Sequence, residues 1–211
     1  MDEKKFDEAI RECEIWLRAN PQDEIMYVLL GMVHLKNNNI EMMFEAFESA
    51  LKINLGLTSP RFIIASYYLK RKETNKALEQ YRLVLKENPE DTSAKIAIAR
   101  VLEHDGKINK AIQLYKEACK GENAVEALTS LGTVYLKNKD FEKTISVALE
   151  AIKLNPKVPQ AYYLLGTAYS AKRDMQKAID YFTKFRELNS LISLRHYDLG
   201  RFYSSQFPEY E

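Results

Sequence analysis

Apolar and small residues recur along the chain at helical spacing. Tyr27, Leu30, Gly31 and His34 stand at i, i+3, i+4 and i+7. Leu128, Leu131, Gly132 and Tyr135 repeat that pattern, and Ile64, Ala65 and Tyr68 follow part of it. A second kind of segment reads Ala77-Leu78, Tyr81 and Leu85, or Ala178-Ile179 and Phe182. Each set covers one face of an α-helix. Polar breakers separate the two kinds: Asn37-Asn38-Asn39, Lys72-Glu73-Thr74, Asp105-Gly106-Lys107, Asn138-Lys139-Asp140 and Arg173-Asp174. After the second kind comes Asn-Pro or a relic of it, at Asn20-Pro21, Asn54-Leu55, Asn88-Pro89 and Asn155-Pro156. Proline stops a helix there, because it lacks the donor and restricts the residue before it. The pattern predicts about twelve helices in antiparallel pairs and no strand.

The same positions carry a period. Gly31, Ala65, Ala99, Gly132, Gly166 and Gly200 follow one another at steps of 34, 34, 33, 34 and 34 residues. Ala9, Met43, Ala77, Ala111, Thr144 and Ala178 keep the same rhythm with one step of 33. Pro21, Leu55, Pro89 and Pro156 stay in register with both. A fixed period over a whole chain is the signature of a tandem array. Small residues in the first two series let paired helices approach closely while aromatics fill the gaps.

The units resemble the tetratricopeptide repeat (TPR), with its large residue, Leu-Gly, Tyr, Ala, Phe or Tyr, Ala and Pro. Tyr162, Leu165, Gly166, Tyr169, Ala178 and Phe182 fit one unit. Leu128, Leu131, Gly132, Tyr135, Ala151 and Pro156 fit another, with Thr144 and Ala148 at the Ala and aromatic places. Ala65, Tyr68, Ala77 and Tyr81 belong to a third, and Ala99, Ala111, Tyr115 and Ala118 to a fourth. The resemblance implies an all-α, right-handed superhelical solenoid of antiparallel helix pairs. Its expected division is a second helix alone over 1–23, then full repeats over 24–57, 58–91, 92–124, 125–158 and 159–192. A first helix or capping helix with a tail is expected over 193–211.

The resemblance implies a non-catalytic scaffold that binds a peptide or helical segment of a partner protein in its concave groove. Carried over by position, the groove shows Val28, Leu29, Met32, Phe62, Ile63, Ser66, Ile96, Ala97 and Arg100. It continues through Thr129, Ser130, Thr133, Tyr163, Leu164 and Thr167. The carboxylate clamp that holds a chaperone's C-terminal acid is missing: Val28, Met32, Ile63, Ser93 and Ala97 stand at its Lys, Asn and Arg places. An apolar N-terminal half and a hydroxyl-rich C-terminal half take its place. An apolar strip suits an amphipathic helix with anchors at i, i+3, i+4 and i+7. Tyr163 and Arg100 are the expected anchors, being typical of binding surfaces.

Charge and composition exclude other classes. Lys and Arg number 31 against 30 Asp and Glu, so the chain has no drive toward nucleic acid. Lys36, Lys70, Arg71, Lys72, Lys107, Lys137, Lys139, Lys172 and Arg173 fall in the turns between paired helices. Cations in a last turn offset the helix dipole and are an ordinary stop signal. Cys13 and Cys119 make no disulfide framework, and Cys and His show no zinc-like spacing. Cys13 occupies the place held elsewhere by Phe47, Tyr81, Tyr115 and Phe182, which makes it a buried small hydrophobe. His34 and His196 sit at packed positions, and His104 lies in a helix-end turn. No phosphate-binding glycine loop occurs, and no catalytic set, metal or cofactor is expected. The start has no apolar leader and no run is long enough to span a membrane, so the expected location is cytoplasmic.

The ends read as half-repeats. Tyr197, Phe202, Tyr203, Phe207 and Tyr210 make the C-terminus aromatic. Terminal helices of a solenoid normally have a polar outer face. The alternatives to a closed scaffold are therefore a piece of a longer TPR protein, a subunit that assembles through its terminal helices, or the targeting arm of a larger enzyme.

Overall fold

A computed structural model describes residues 3–188, with side chains from Lys5 onward. These residues form eleven α-helices and no strand. The expected first helix or capping helix with its tail over 193–211, including the aromatic C-terminus and His196, lies outside the described residues. The helices are α1 (Glu3–Ala19), α2 (Glu24–Lys36), α3 (Ile40–Ile53), α4 (Thr58–Lys70), α5 (Thr74–Glu87) and α6 (Thr92–His104). They continue with α7 (Ile108–Ala118), α8 (Ala124–Lys137), α9 (Phe141–Leu154), α10 (Pro159–Ala171) and α11 (Met175–Leu188).

Five turns join a first-type helix to its partner, and all use one backbone solution. Asn38, Lys72, Gly106, Lys139 and Arg173 adopt φ of 57°, 62°, 73°, 59° and 63°. The next amide then donates back five residues: Asn39 to His34, Glu73 to Tyr68, Lys107 to Leu102, Asp140 to Tyr135 and Asp174 to Tyr169. Carbonyls orphaned at the helix end are thereby satisfied inside the turn. The following polar side chain starts the next helix. Asn39, Asp140 and Asp174 accept from the amides of Met42, Lys143 and Lys177. The other kind of turn is set by asparagine. The Oδ1 of Asn54, Asn88 and Asn155 accepts from the amide two residues on, at Gly56, Glu90 and Lys157. This explains why Asn54-Leu55 ends a helix as well as Asn-Pro does: the asparagine side chain closes the turn whether or not proline follows.

The chain divides into two compact units, Met1–Ala94 and Lys95–Glu211. In the first, Cys13, Leu17, Leu30 and Ala46 join α1, α2 and α3, and Met43, Phe47, Leu51 and Ile64 join α3 to α4. Gly31 lies against Phe47 so closely that an added Cβ would meet the ring at 2.5 Å. In the second unit, Ile96, Ala99, Ala111 and Tyr115 pack with Ala127, Leu131, Val134 and Tyr135. Leu128, Ala148, Ala151, Ala161, Leu164 and Leu165 form the next cluster, and Ala178 and Phe182 another. Gly166 repeats the close approach of Gly31, with Phe182 2.8 Å from where a Cβ would stand. The small residues of the period are thus the contact points of helix pairs, as their spacing predicts.

Candidate functional site

In the first unit the first-type helices leave apolar surface in water. On α2, Ile25, Leu29 and Met32 are 72%, 47% and 39% exposed. Their i, i+4, i+7 spacing places them on one stripe. Val28, one residue from Leu29, turns inward and packs on the Met43–Phe47–Leu51–Ile64 cluster, as Ile63 does. On α4, Ser66 is exposed and Phe62 is half-buried, its ring edge-on to Tyr81 at 5.1 Å. A pocket of about 280 Å³ opens here, lined by Leu35, Phe62, Ile63, Ser66, Tyr67 and Lys70. Three of the expected groove residues therefore share one concavity. Tyr67 and Leu35 were missing from the expectation. Tyr67 is held by Phe44, 5.4 Å away and edge-on, a contact that sequence position alone does not reveal.

The second unit is different. Ile96 is 2% exposed, Leu164 is fully buried and Thr129 is 9% exposed, so these three belong to the core and not to a lining. Thr129 donates to the carbonyls of Val125 and Glu126, Thr133 to that of Thr129, and Thr167 to that of Tyr163. A threonine in a helix satisfies its hydroxyl on the preceding turn. The hydroxyls of the expected hydroxyl-rich half at Thr129, Thr133 and Thr167 therefore donate within their own helices. Tyr163 is half-buried, its ring 5.5 Å from Phe185 and 6.2 Å from Phe182. Arg100, the expected anchor for a ligand carboxylate, already pairs with Glu126 at 2.8 Å. Both side chains are about half exposed, so the pair contributes little stability. It does supply Arg100 with a carboxylate from its own chain.

Charges in the turns are diluted by similar pairs. Arg71 and Lys76 share Glu73, Lys137 reaches Glu103, Lys107 faces Asp105 and Lys172 meets Glu142. The hydrogen bonds from Lys76 and Arg71 hold the Glu73 carboxyl below its usual range. Lys36 and Lys70, at the ends of α2 and α4, have no carboxylate partner among the described residues.

The histidines and cysteines are placed by packing. His34 is 4% exposed, with neither ring nitrogen hydrogen-bonded. Burial lowers its pKa against the opposing pull of Glu14 and Glu45. Cys13 is buried and its thiol pKa is raised by that burial. Cys119, half-buried, is pushed up to about 11 by desolvation and then by Glu150. Both side chains are thiols at neutral pH, the opposite of what a nucleophile needs. His104 is exposed at a helix end, 3.8 Å from Asp105. Among the described residues no group of three or more His, Cys, Asp or Glu is arranged to hold a metal ion. No described helix is long and apolar enough to cross a membrane.

These features define a class first: an all-α array of helix pairs whose faces are built for contact. Family models then agree along most of the length. Two described as tetratricopeptide repeat match residues 25–56 and 64–125, and one described as anaphase-promoting complex, cyclosome, subunit 3 matches residues 104–185. The chain belongs to the tetratricopeptide repeat family. Repeats of this family are in general non-catalytic protein-interaction modules, and the array is a protein-interaction scaffold. Comparison with curated protein sequences gives no match. Solved structures share the fold. Yeast Tom70 superposes with a TM-score of 0.77 at 16% identity, over 94% of this chain and 43% of that one. One chain of the APC/C hetero-tetramer Cut9-Hcn1 gives 0.69 at 14%, covering 94% of this chain and 40% of that one. YrrB, a TPR protein with an unusual peptide-binding site, gives 0.60 at 17%, covering 89% and 97%.

Proposed function

We propose that the scaffold binds the apolar face of an amphipathic helix from a partner protein on the first-type helices of its N-terminal unit. The observation that carries this reading is the exposed stripe Ile25–Leu29–Met32 on α2, together with the pocket beside Phe62 and Ile63 on α4. An apolar helix face with anchors at i, i+3 or i+4, and i+7 matches such a surface. Each anchor buried there contributes about 1.5–3 kcal/mol, so three suffice for a specific complex. Lys70 lines the pocket and has no carboxylate partner among the described residues, which favours a ligand with an acidic residue beside its apolar face. In the second unit Arg100 has Glu126 already, which supports placing the ligand's charge at Lys70 instead. Tyr163, Thr133 and Thr167 are peripheral to this reading.

Panning a displayed library of helical peptides against the whole chain tests it. Enriched peptides should carry the spaced apolar anchors and a flanking acid. Binding should weaken at least about tenfold on the double variant Leu29→Asp/Met32→Asp, equivalent to 1.4 kcal/mol. Both positions are exposed, so circular dichroism should be unchanged. Enriched peptides that bind the double variant as well as the original chain would overturn the reading.

A further inference from the structure

A cavity of about 220 Å³ opens between α7, α8 and α9 in the second unit. The repeat explains it. Cys119, Leu128 and Val147 line the cavity, and the residues at their places one period later are Ile152, Tyr162 and Tyr181. All three later side chains are larger. In the α10–α11 pair the Tyr181 ring stacks on Tyr169, with centroids 5.5 Å apart and planes 10° from parallel, and lies 6.4 Å from Tyr162. Tyr135 holds the place of Tyr169 in the earlier pair and also lines the cavity. Lys143 sits over its ring at 5.5 Å, as Lys177 sits over Tyr169 at 5.0 Å. Tyr169 thus has a lysine and a stacked ring, whereas Tyr135 has the lysine and, among the described residues, no ring. The cavity is the room that Tyr181 fills one period later.

We propose that this cavity is a docking site for an aromatic side chain of a partner protein, seated on Tyr135 as Tyr181 is seated on Tyr169. The chain itself shows the fit, because a tyrosine ring takes the same place in the next pair. Ring pairs of this kind contribute beyond the area they bury, and an aromatic anchor in a desolvated pocket is the usual centre of an interface. Leu128 and Tyr135 are 2% and 6% exposed and form the floor. Charge stands at the rim: Lys116 on α7 and Glu150 on α9 are exposed, and neither has an ion-pair partner among the described residues. A segment with an acidic residue on the Lys116 side of the ring complements that rim, which excludes partners of the wrong charge. The site shares no residue with the stripe on α2 and the pocket on α4, so the two stand or fall separately.

Random displayed peptides panned against the full chain carrying Leu29→Asp/Met32→Asp test this with the other site removed. Enriched peptides should share a Tyr or Phe beside an acidic residue. Val147→Tyr supplies the ring from within and should weaken them at least about tenfold with native circular dichroism. Cys119→Ile, which copies Ile152, is a gentler filling variant that should weaken them too, and it decides the matter where Val147→Tyr does not fold. Lys116→Glu should weaken the acidic peptides and strengthen those whose acid is replaced by lysine. The cavity also carries its own reporter. Cys13 is buried, so alkylation by iodoacetamide reads Cys119, and a bound peptide should slow it. Panning that enriches no peptide, or peptides without an aromatic residue, overturns the proposal. So does binding that the filling variants leave unchanged, or alkylation that a bound peptide does not slow. N-acetyl-tyrosine amide that protects Cys119 as well as the peptides do would mark a small-molecule site and overturn docking by a protein.

Discussion

Leu29 and Met32 on α2 keep much of their apolar surface in water, whereas Thr133 on α8 and Thr167 on α10 turn their hydroxyls back onto their own helices. The four residues occupy corresponding first-type helix faces in two units built from one repeat. In the N-terminal unit the face has unmet contacts: exposed aliphatic side chains, a pocket, and a lysine with no carboxylate partner among the described residues. In the C-terminal unit the same face answers most of its own demands, through Arg100 with Glu126, Lys137 with Glu103, and threonines bonded to the turn before. Residue type alone would rank the hydroxyl-rich half as the better hydrogen-bonding surface. Geometry reverses that order, because a helical threonine finds its acceptor four residues back.

The largest expected effect concerns the contact both units share. Gly31→Ala drives a methyl group into the Phe47 ring, which is fully buried and flanked by Met43 and Leu51. It should cost about 3 kcal/mol in urea denaturation, at the upper end for overpacking. Gly166→Ala meets Phe182, which is 8% exposed and has more room to move, so its cost should be smaller. Equal costs would show that the two contacts are equally rigid. Next comes ligand binding. Leu29→Asp/Met32→Asp should lose about 2 kcal/mol or more of peptide affinity by calorimetry, from the anchors no longer buried. Thr133→Val/Thr167→Val should change it by less than about 0.5 kcal/mol, as expected for sites away from the contact. A larger loss from the threonine pair would move the site to the second unit.

Below these lies a pH effect confined to the first unit. His34 has a folded pKa below its ordinary 6.5, so it stays neutral in the fold while the unfolded chain takes up a proton. The stability it contributes is complete above about pH 6.5 and is lost as pH falls toward the lowered folded value. Thermal melts at pH 7.5 and 5.5 should therefore differ, and His34→Tyr should shrink the difference, since Tyr68, Tyr135 and Tyr169 hold the same repeat position. Asp23, Asp140 and Asp174 have depressed carboxyl pKa values and lose their contributions only in stronger acid, outside that window. A pH difference that survives His34→Tyr unchanged would clear this histidine. The smallest effect is a gain. Lys72→Gly and Lys139→Gly relieve a side chain held at positive φ and should each stabilise by up to about 1 kcal/mol.

Much of this was legible before any coordinates. The 34-residue rhythm marks Gly31, Ala65 and Gly166 as helix contacts because close packing admits only small residues there. Cys13 was readable as buried because Phe47, Tyr81, Tyr115 and Phe182 share its place. What stayed hidden were contacts between residues far apart in sequence. Nothing in the period links Arg100 to Glu126, or Tyr67 to Phe44. Val28 and Leu29 are both apolar and adjacent, and only the 100° turn between them sends one into the core and the other into water. The left-handed turns are equally hidden in the sequence. Lys72, Lys139 and Arg173 read as charge, while their shared role with Gly106 and Asn38 is written in φ.

Those turns carry a consequence for how the array changes length. Each closes its own carbonyls within a few residues, and three of the five cap the next helix with a side chain, so the turn's backbone asks nothing of the neighbouring pair. Duplicating or excising one whole period keeps these turns closed and keeps Gly31-type positions in register with the side chains they pack on. An insertion of one extra residue inside a helix rotates all that follows by about 100° and sets Gly31-type positions against solvent. Recombination in whole periods is thus nearly silent for folding, while the smallest indel within a helix is among the most damaging changes the chain can suffer.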